Sequence, residues 1–252
     1  MGSLILCHTE AVPEPYEIRH IHRKISTMEE LLFYVRANLC LVDETLFDEG
    51  LFVFLSDLGL KKLSEDLKYH TEKKGSLSAR IAMLLKGGRI FSHPEIMRAE
   101  NEMEKLKTLP GPERKLLMAK SVLSFGEARE AVLIGKAIES DPGFAKESDA
   151  FKGQVAEVLG RAYGLLFYYE EAVRMLEMAY DYTGEKRLLV PYLYAARRHF
   201  DATAYQALLS SNDDYADADK KRRAEEADVL LRVPVSKEDL SVTDIVEGFR
   251  RH

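Results

Sequence analysis

Apolar residues recur every three to four positions along most of the chain, which is the spacing that places them on one face of an α-helix. Residues 155–184 carry the clearest example, because two apolar stripes stand there on either side of a bend at residues 165–169. The stripes are Val155, Leu159, Ala162, Tyr163 and Leu166, followed by Ala172, Leu176, Ala179 and Tyr180. This pattern predicts two amphipathic helices that run antiparallel to each other.

The polar residues between the stripes mark where helices begin and end. Thr27 with Glu30, and Ser92 with Glu95, have the spacing of a capping box, in which a hydroxyl and a carboxylate satisfy backbone N–H groups of the first turn. Gly59 is expected to end a helix in the left-handed conformation that glycine adopts without steric cost. The sequence therefore predicts a mainly α-helical protein.

The N-terminal part differs from the rest. Residues 3–7 and 16–24 are short runs that are expected to be extended and to pair as a small β-hairpin. A polar, glycine-containing link at residues 71–76 predicts a domain boundary. We expect a leucine-rich helical region with the hairpin at 1–74 and a helical domain with C-terminal capping helices at 75–252.

The spacing of small and large residues within the two central stripes resembles that of the tetratricopeptide repeat. The pattern is Leu159-Gly160-x-x-Tyr163, then Ala172-x-x-x-Leu176 and Ala179. It is clear over about residues 153–186 and looser over 127–209, and Leu193 falls 34 residues after Leu159, which is the period of this repeat. The resemblance implies antiparallel helix pairs of the right-handed superhelical type.

Proteins similar to this hold a peptide or another protein on the inner surface formed by the first helix of each pair. In this chain the resemblance assigns that groove to Glu157, Arg161, Gly164, Tyr168, Tyr194 and Arg198. Glu157 and Arg161 carry opposite charges, unlike the pockets that bind a terminal carboxylate. The resemblance thus implies a non-catalytic adaptor or scaffold, with the leucine-rich region as a second docking surface or a homodimer contact.

The charge of the chain bears on nucleic-acid binding. The formal net charge of −6 argues against a general phosphate-backbone binder, which needs a basic surface. The basic run Lys220-Lys221-Arg222-Arg223 leaves local nucleic-acid binding open, but acidic residues flank it on both sides. We therefore expect this run to lie on a charged, solvent-facing helix.

The histidines give the alternative to an adaptor. His20 and His22 would lie on the same side of a strand and could share a metal, with His8 near them, as in a small enzyme or metal-binding protein. Carboxylates or cysteines that would complete such a site are not clustered in the sequence, and catalytic motifs are also missing. We therefore expect no catalytic residues, no metal and no cofactor.

The two cysteines are too few for a disulfide framework and suit a reducing compartment. No apolar run reaches the length of a membrane span or of a signal peptide. These features predict a cytoplasmic protein without a membrane partner.

Overall fold

The computed structural model describes residues 11–232, which are mainly helical with one small antiparallel sheet. Strand β1 (Tyr16–Ile18) pairs with β2 (Arg23–Ile25), so that Tyr16 lies opposite Ile25. A single turn of 3-10 helix, Arg19–Ile21, joins the strands. The hairpin therefore forms within the segment predicted as one strand, whereas its predicted partner, residues 3–7, lies outside the described residues.

Twelve α-helices follow in the described part of the chain. They are α1 (Met28–Ala37), α2 (Glu49–Asp57), α3 (Lys61–Glu72), α4 (Leu77–Gly87), α5 (His93–Thr108), α6 (Gly111–Ser124), α7 (Ala128–Glu139), α8 (Asp149–Leu165), α9 (Tyr169–Thr183), α10 (Leu189–His199), α11 (Ala202–Ser210) and α12 (Asp213–Arg232). Capping helices predicted beyond residue 232 lie outside the described residues.

Local signals in the sequence fix several of these helix ends. In α1 the Glu30 backbone N–H donates to Thr27 Oγ1 at 3.3 Å, and the Thr27 backbone N–H donates to Glu30 Oε2 at 3.2 Å. The predicted capping box is thus confirmed, as is that of α5, where the Ser92 backbone N–H donates to Glu95 Oε2 at 2.8 Å. Gly59 follows α2 with a φ of 78°, in the left-handed conformation expected of it.

Contacts divide the chain after Gly184 into two compact units. The first unit contains the hairpin and α1 to α9, and one continuous apolar core runs through it from Val12 to Met175. The second unit contains α10, α11 and α12, which pack on one another. The predicted boundary near residue 74 falls inside the first unit, between the packed helices α3 and α4.

Arg80 is a buried cation of the first unit. Arg80 of α4 is 2% exposed, pairs through Nη2 with Glu44, and lies 4.8 Å from the centre of the Phe47 ring. Because a buried charge needs such partners, Arg80 fixes α4 against the segment that precedes α2. Within residues 11–232, no helix is both long and apolar enough to cross a membrane.

Candidate interaction surface

Helices α8 and α9 pack against each other more closely than ordinary side chains would permit. A Cβ atom built on Gly160 would lie 2.6 Å from Leu176 Cγ, and one built on Gly153 would lie 2.4 Å from Thr183 Cγ2. These contacts also give the register, since a residue further along α8 meets a residue earlier in α9. The two helices are therefore antiparallel, with glycines at the closest approach of their axes.

The end of α8 has the hydrogen bonds of a Schellman motif. The Tyr168 N–H donates to the Tyr163 carbonyl at 3.0 Å, and the Phe167 N–H donates to the Gly164 carbonyl at 3.2 Å. The residue that donates the shorter-range of these two bonds must adopt a left-handed conformation, and Phe167 does so with a φ of 63°. Glycine is the favoured residue at this position of the motif, because a Cβ atom is crowded in the left-handed conformation.

The end of α6 is a matched comparison within the same unit. There the Glu127 N–H donates to the Val122 carbonyl at 3.1 Å and the Gly126 N–H donates to the Leu123 carbonyl at 2.9 Å. Gly126 occupies the left-handed position with a φ of 86°. The same turn is thus built with glycine after α6 and with phenylalanine after α8, so the aromatic residue is not required by the turn geometry.

We call residues 165–168 the aromatic turn, because its side chains are largely outside the core. Phe167 is 75% exposed, Tyr168 58% and Leu165 55%. Edge-to-face pairs hold the rings in place, with Tyr163 and Tyr168 centred 6.4 Å apart and Phe167 and Tyr169 centred 6.2 Å apart. Groups of exposed apolar residues mark many interaction sites, and aromatic residues dominate the binding energy of many interfaces.

The four predicted groove residues of the first unit lie on α8 or directly after it. The Arg161 Nε donates to Glu157 Oε1 at 3.0 Å, so the two charges offset each other along one helix face. A Cβ atom on Gly164 would meet nothing within 4 Å, so the surface beside it is open. Tyr168 belongs to the aromatic turn, which places that turn next to the predicted groove.

The two remaining groove residues belong to the second unit. The Arg198 guanidinium lies 4.0 Å from the centre of the Tyr194 ring, and its Nη1 donates to the Tyr194 carbonyl at 3.2 Å. Tyr194 is 38% exposed. A cation stacked on an aromatic face is a stable arrangement, so Tyr194 and Arg198 form a paired surface feature of α10. A groove composed of all six residues stays a prediction.

Leu165 and Phe167 were not among the predicted site residues. The signal for Phe167 was present in the sequence, as a phenylalanine in a helix-ending turn and at the start of three consecutive aromatic residues. Phe167 stands out only when its left-handed backbone conformation is known, and the spacing of apolar residues does not reveal that conformation.

The histidines predicted as an alternative site lie in a turn and not on a strand. His20 Nε2 lies 3.4 Å from Asp43 Oδ2, which is an ion-pair distance without the alignment of a hydrogen bond. His22 has a φ of 44°, and its Nδ1 lies 3.4 Å from Glu17 Oε1. Each ring therefore has its own carboxylate. Within residues 11–232, no three His, Cys, Asp or Glu side chains are grouped as metal ligands, and His8 lies outside that range.

The Asp43 carboxylate favours the protonated form of His20. It raises the pKa of His20 above the ordinary value against the opposing effect of burial, and His20 in turn helps to lower the pKa of Asp43 to about 2. This pair links the turn of the hairpin to the segment before α2. We regard it as a structural ion pair.

The basic run of α12 faces solvent as expected at Lys220, Lys221 and Arg223, and Arg222 is the exception. Arg222 is only 4% exposed, while Lys220 and Lys221 have side-chain exposures of 80% and 67%. Asp219, which is 3% exposed, lies three residues before Arg222 on the same face of α12 and pairs with it. The expectation was wrong for Arg222, because the buried Asp219 carboxylate stabilises the buried Arg222 guanidinium.

A cavity of about 660 Å³ lies beside the hairpin, between β1 and α2. Several of its polar groups already have partners, since Arg19 pairs with Asp48 at 3.0 Å and the Tyr16 hydroxyl donates to the Leu46 carbonyl at 3.1 Å. Burial raises the pKa of Tyr16, so its hydroxyl stays protonated as a donor. These contacts attach β1 to the segment that leads into α2.

Comparison of the chain with known protein families, with curated protein sequences and with solved structures finds no match in any of the three.

Proposed function

We propose that the protein is a non-catalytic adaptor that holds a protein or peptide segment on tetratricopeptide-like helix pairs. The observation that carries this proposal is the aromatic turn. Phe167 has a left-handed backbone conformation there, which is unfavourable for phenylalanine, and three quarters of the residue is exposed to solvent. Residues in strained backbone conformations cluster at functional sites, and a partner that covers the ring would offset the cost of holding Phe167 in this conformation.

The arrangement of α6 to α9 supports the tetratricopeptide-like part of the proposal. Both α6 and α7, and α8 and α9, are helix pairs joined by a three-residue turn. Buried small residues recur at equivalent places in the two pairs, since Ala119 corresponds to Gly160 and Ala131 to Ala172. Each correspondence spans 41 residues of sequence. The spacing exceeds the 34 residues of the repeat because a loop with a 3-10 turn, Phe144–Lys146, separates α7 from α8.

The polar part of the surface supports an extended segment as the ligand. Arg161, whose side chain is 45% exposed, offers guanidinium donors beside the open surface at Gly164, while Glu157, with a side chain only 13% exposed, fixes it from the same helix. A peptide can use such groups for its backbone while it places an apolar side chain against the exposed rings. Apolar anchors surrounded by polar contacts are the usual composition of an interface.

Capture of partners from cell extract tests this function. Wild-type protein is compared with an Arg161→Glu, Tyr194→Ala double variant and with a Phe167→Gly variant, each checked for folding by circular dichroism. Tyr69→Ala is the matched control, because Tyr69 lies on α3 and is 58% exposed, as Tyr168 is. We expect a partner that is bound by wild type and by the control, and is lost from both test variants.

The adaptor function is contradicted if every protein recovered by wild type is recovered equally by the two test variants. The helix pairs would then be a scaffold without a binding role on this face.

A further inference from the structure

The second unit contains a cavity in which the charged lining residues are all arginines. Helices α10, α11 and α12 enclose about 290 Å³, and the lining consists of Arg197, Ala202, Tyr205, Gln206, Arg222 and Arg223. At about 30 Å³ for each water molecule in the liquid, this volume equals that of about ten waters. It is enough for a phosphate group and a few atoms of its substituent.

A buried carboxylate fixes two of these arginines. Asp219 Oδ1 accepts hydrogen bonds from the Tyr205 hydroxyl at 2.6 Å and from Arg222 Nε at 2.8 Å, and its Oδ2 accepts from Arg223 Nε at 2.7 Å. Burial opposes ionisation, but the bonds from Tyr205 and Arg222 outweigh it and lower the pKa of Asp219. Both oxygens of an ionised Asp219 are thus engaged from inside the unit.

The bonds to Asp219 use one edge of each guanidinium and leave other donors for a ligand. Arg222 also donates from Nη1 to Glu226 Oε2 at 2.6 Å, but within the described residues its Nη2 has no hydrogen-bond partner. The same holds for both Nη groups of Arg223. Arg197 lies 5.7 Å from the centre of the Tyr205 ring and is paired with no carboxylate in the described part of the chain.

We propose that this cavity binds the phosphate group of a phosphate monoester, held by Arg197, Arg222 and Arg223. The guanidinium fork matches the geometry of phosphate oxygens and gives charge-assisted hydrogen bonds. Arg222 is 4% exposed and Tyr205 is 2% exposed, so they form the buried inner end of the site, whereas Arg197 and Arg223 are exposed and line its open side. This site lies entirely within the second unit and does not depend on the peptide-binding function proposed above.

Titration of the full-length protein followed by amide NMR tests the proposal. The probe is inorganic phosphate, and sodium chloride keeps the ionic strength constant. We expect saturable shifts of the Ala202, Gln206 and Arg223 amide signals. Since arginine stays protonated throughout, binding should strengthen from about pH 5.5 to about pH 7.5 as the phosphate takes its second negative charge.

Three variants distinguish a specific phosphate site from non-specific electrostatic attraction of phosphate to the protein. Arg197→Gln and Arg223→Gln should each weaken phosphate binding by about tenfold, because each removes a charge-assisted bond to the ligand. Lys221→Gln removes the same charge from an exposed position of α12 and should leave the affinity unchanged. Arg197→Gln is the decisive variant, since Arg197 has no ion pair among residues 11–232 whose loss would destabilise the unit.

The proposal is overturned if no signal saturates, or if Arg197→Gln and Lys221→Gln have the same effect on the phosphate affinity. Parallel titrations with glycerol phosphate and with a blocked phosphoserine identify the source of the group. Tighter binding of blocked phosphoserine assigns the site to a phosphorylated side chain, and tighter binding of glycerol phosphate assigns it to a small phosphate ester.

Discussion

Phe167 provides the sharpest test of the aromatic turn, because two variants at this position are expected to differ in stability. Glycine should be more stable than alanine here, which is the reverse of the usual order in a helix. Phe167→Ala and Phe167→Gly both remove the ring, so both lose the same contacts with Tyr169. They differ only in the Cβ atom. At an ordinary helical position, glycine is less favourable than alanine by about 0.5–1 kcal/mol.

The left-handed conformation reverses that order. A residue with a Cβ atom is disfavoured there by roughly 1–2 kcal/mol, and Phe167 has a φ of 63°. About 0.5–1 kcal/mol for the greater freedom of glycine in the unfolded chain is subtracted from this, and the midpoints of the two ranges leave Phe167→Gly the more stable variant by about 0.5–1 kcal/mol. For a chain of this size, that difference raises the melting temperature by about 1–4 °C.

Thermal unfolding followed by circular dichroism measures this difference directly. Gly164→Ala is the internal control on the same helix, because its Cβ atom would meet nothing within 4 Å. That substitution should stabilise the protein by up to about 1 kcal/mol, the ordinary helical preference for alanine. Both Phe167 variants should lose the partner equally, since both lack the ring, so stability and binding can be separated at one position.

The reasoning is refuted if Phe167→Ala is as stable as Phe167→Gly or more stable. Position 167 would then not be left-handed in solution, and the aromatic turn would not have the conformation described.

Two further predictions concern packing and pH. Gly160→Ala should lower the free energy of unfolding by about 1–3 kcal/mol, the usual cost of overpacking, because its Cβ atom would lie 2.6 Å from Leu176 Cγ; urea titration measures the loss, and an unchanged midpoint would contradict the close packing of α8 and α9. The raised pKa of His20 should contribute stability below about pH 6.5, the ordinary value, and that contribution should disappear as the pH rises through the raised folded value. For the Asp43 carboxylate the sign is opposite, since its lowered pKa contributes stability above about pH 4 that is lost as the pH falls toward 2. Asp43→Asn should remove both dependences from the unfolding midpoint, and an unchanged pH profile would contradict the pair.

Features of the fold that depend on a few neighbouring residues could be predicted from the sequence. The capping boxes at Thr27 and Ser92 and the left-handed Gly59 are examples, because each is decided by bonds within one turn of helix. The bend between α8 and α9 was also predicted, since the apolar stripe changes phase there. By contrast, α8 begins at Asp149, before the predicted stripe, where Ser148 accepts a hydrogen bond from the Phe151 N–H.

Features that depend on distant residues could not be predicted in the same way. Arg222 has the sequence context of a solvated charge, with acids at helical spacing on both sides. Its burial depends on Tyr205, whose hydroxyl reaches the same carboxylate, Asp219, from another helix. The hairpin shows the same limit, because the 3-10 turn Arg19–Ile21 divides a segment whose composition indicates one strand.

The candidate site combines both kinds of information. The resemblance to the tetratricopeptide repeat directed attention to α8 and to Tyr168. The backbone conformation was needed to identify Phe167, whose exposure and φ angle together distinguish it from the aromatic residues that pack in the core.

Photo-crosslinking from the aromatic turn tests the central claim most directly. A benzoylphenylalanine side chain is placed at Tyr168, and in a separate protein at Tyr69, which has the same 58% exposure on α3. On irradiation in native cell extract, we predict a discrete adduct with one protein from position 168, none from position 69, and loss of the adduct when Phe167→Ala is added. Adducts of equal yield from both positions, or an adduct that persists with Phe167→Ala, would contradict the account.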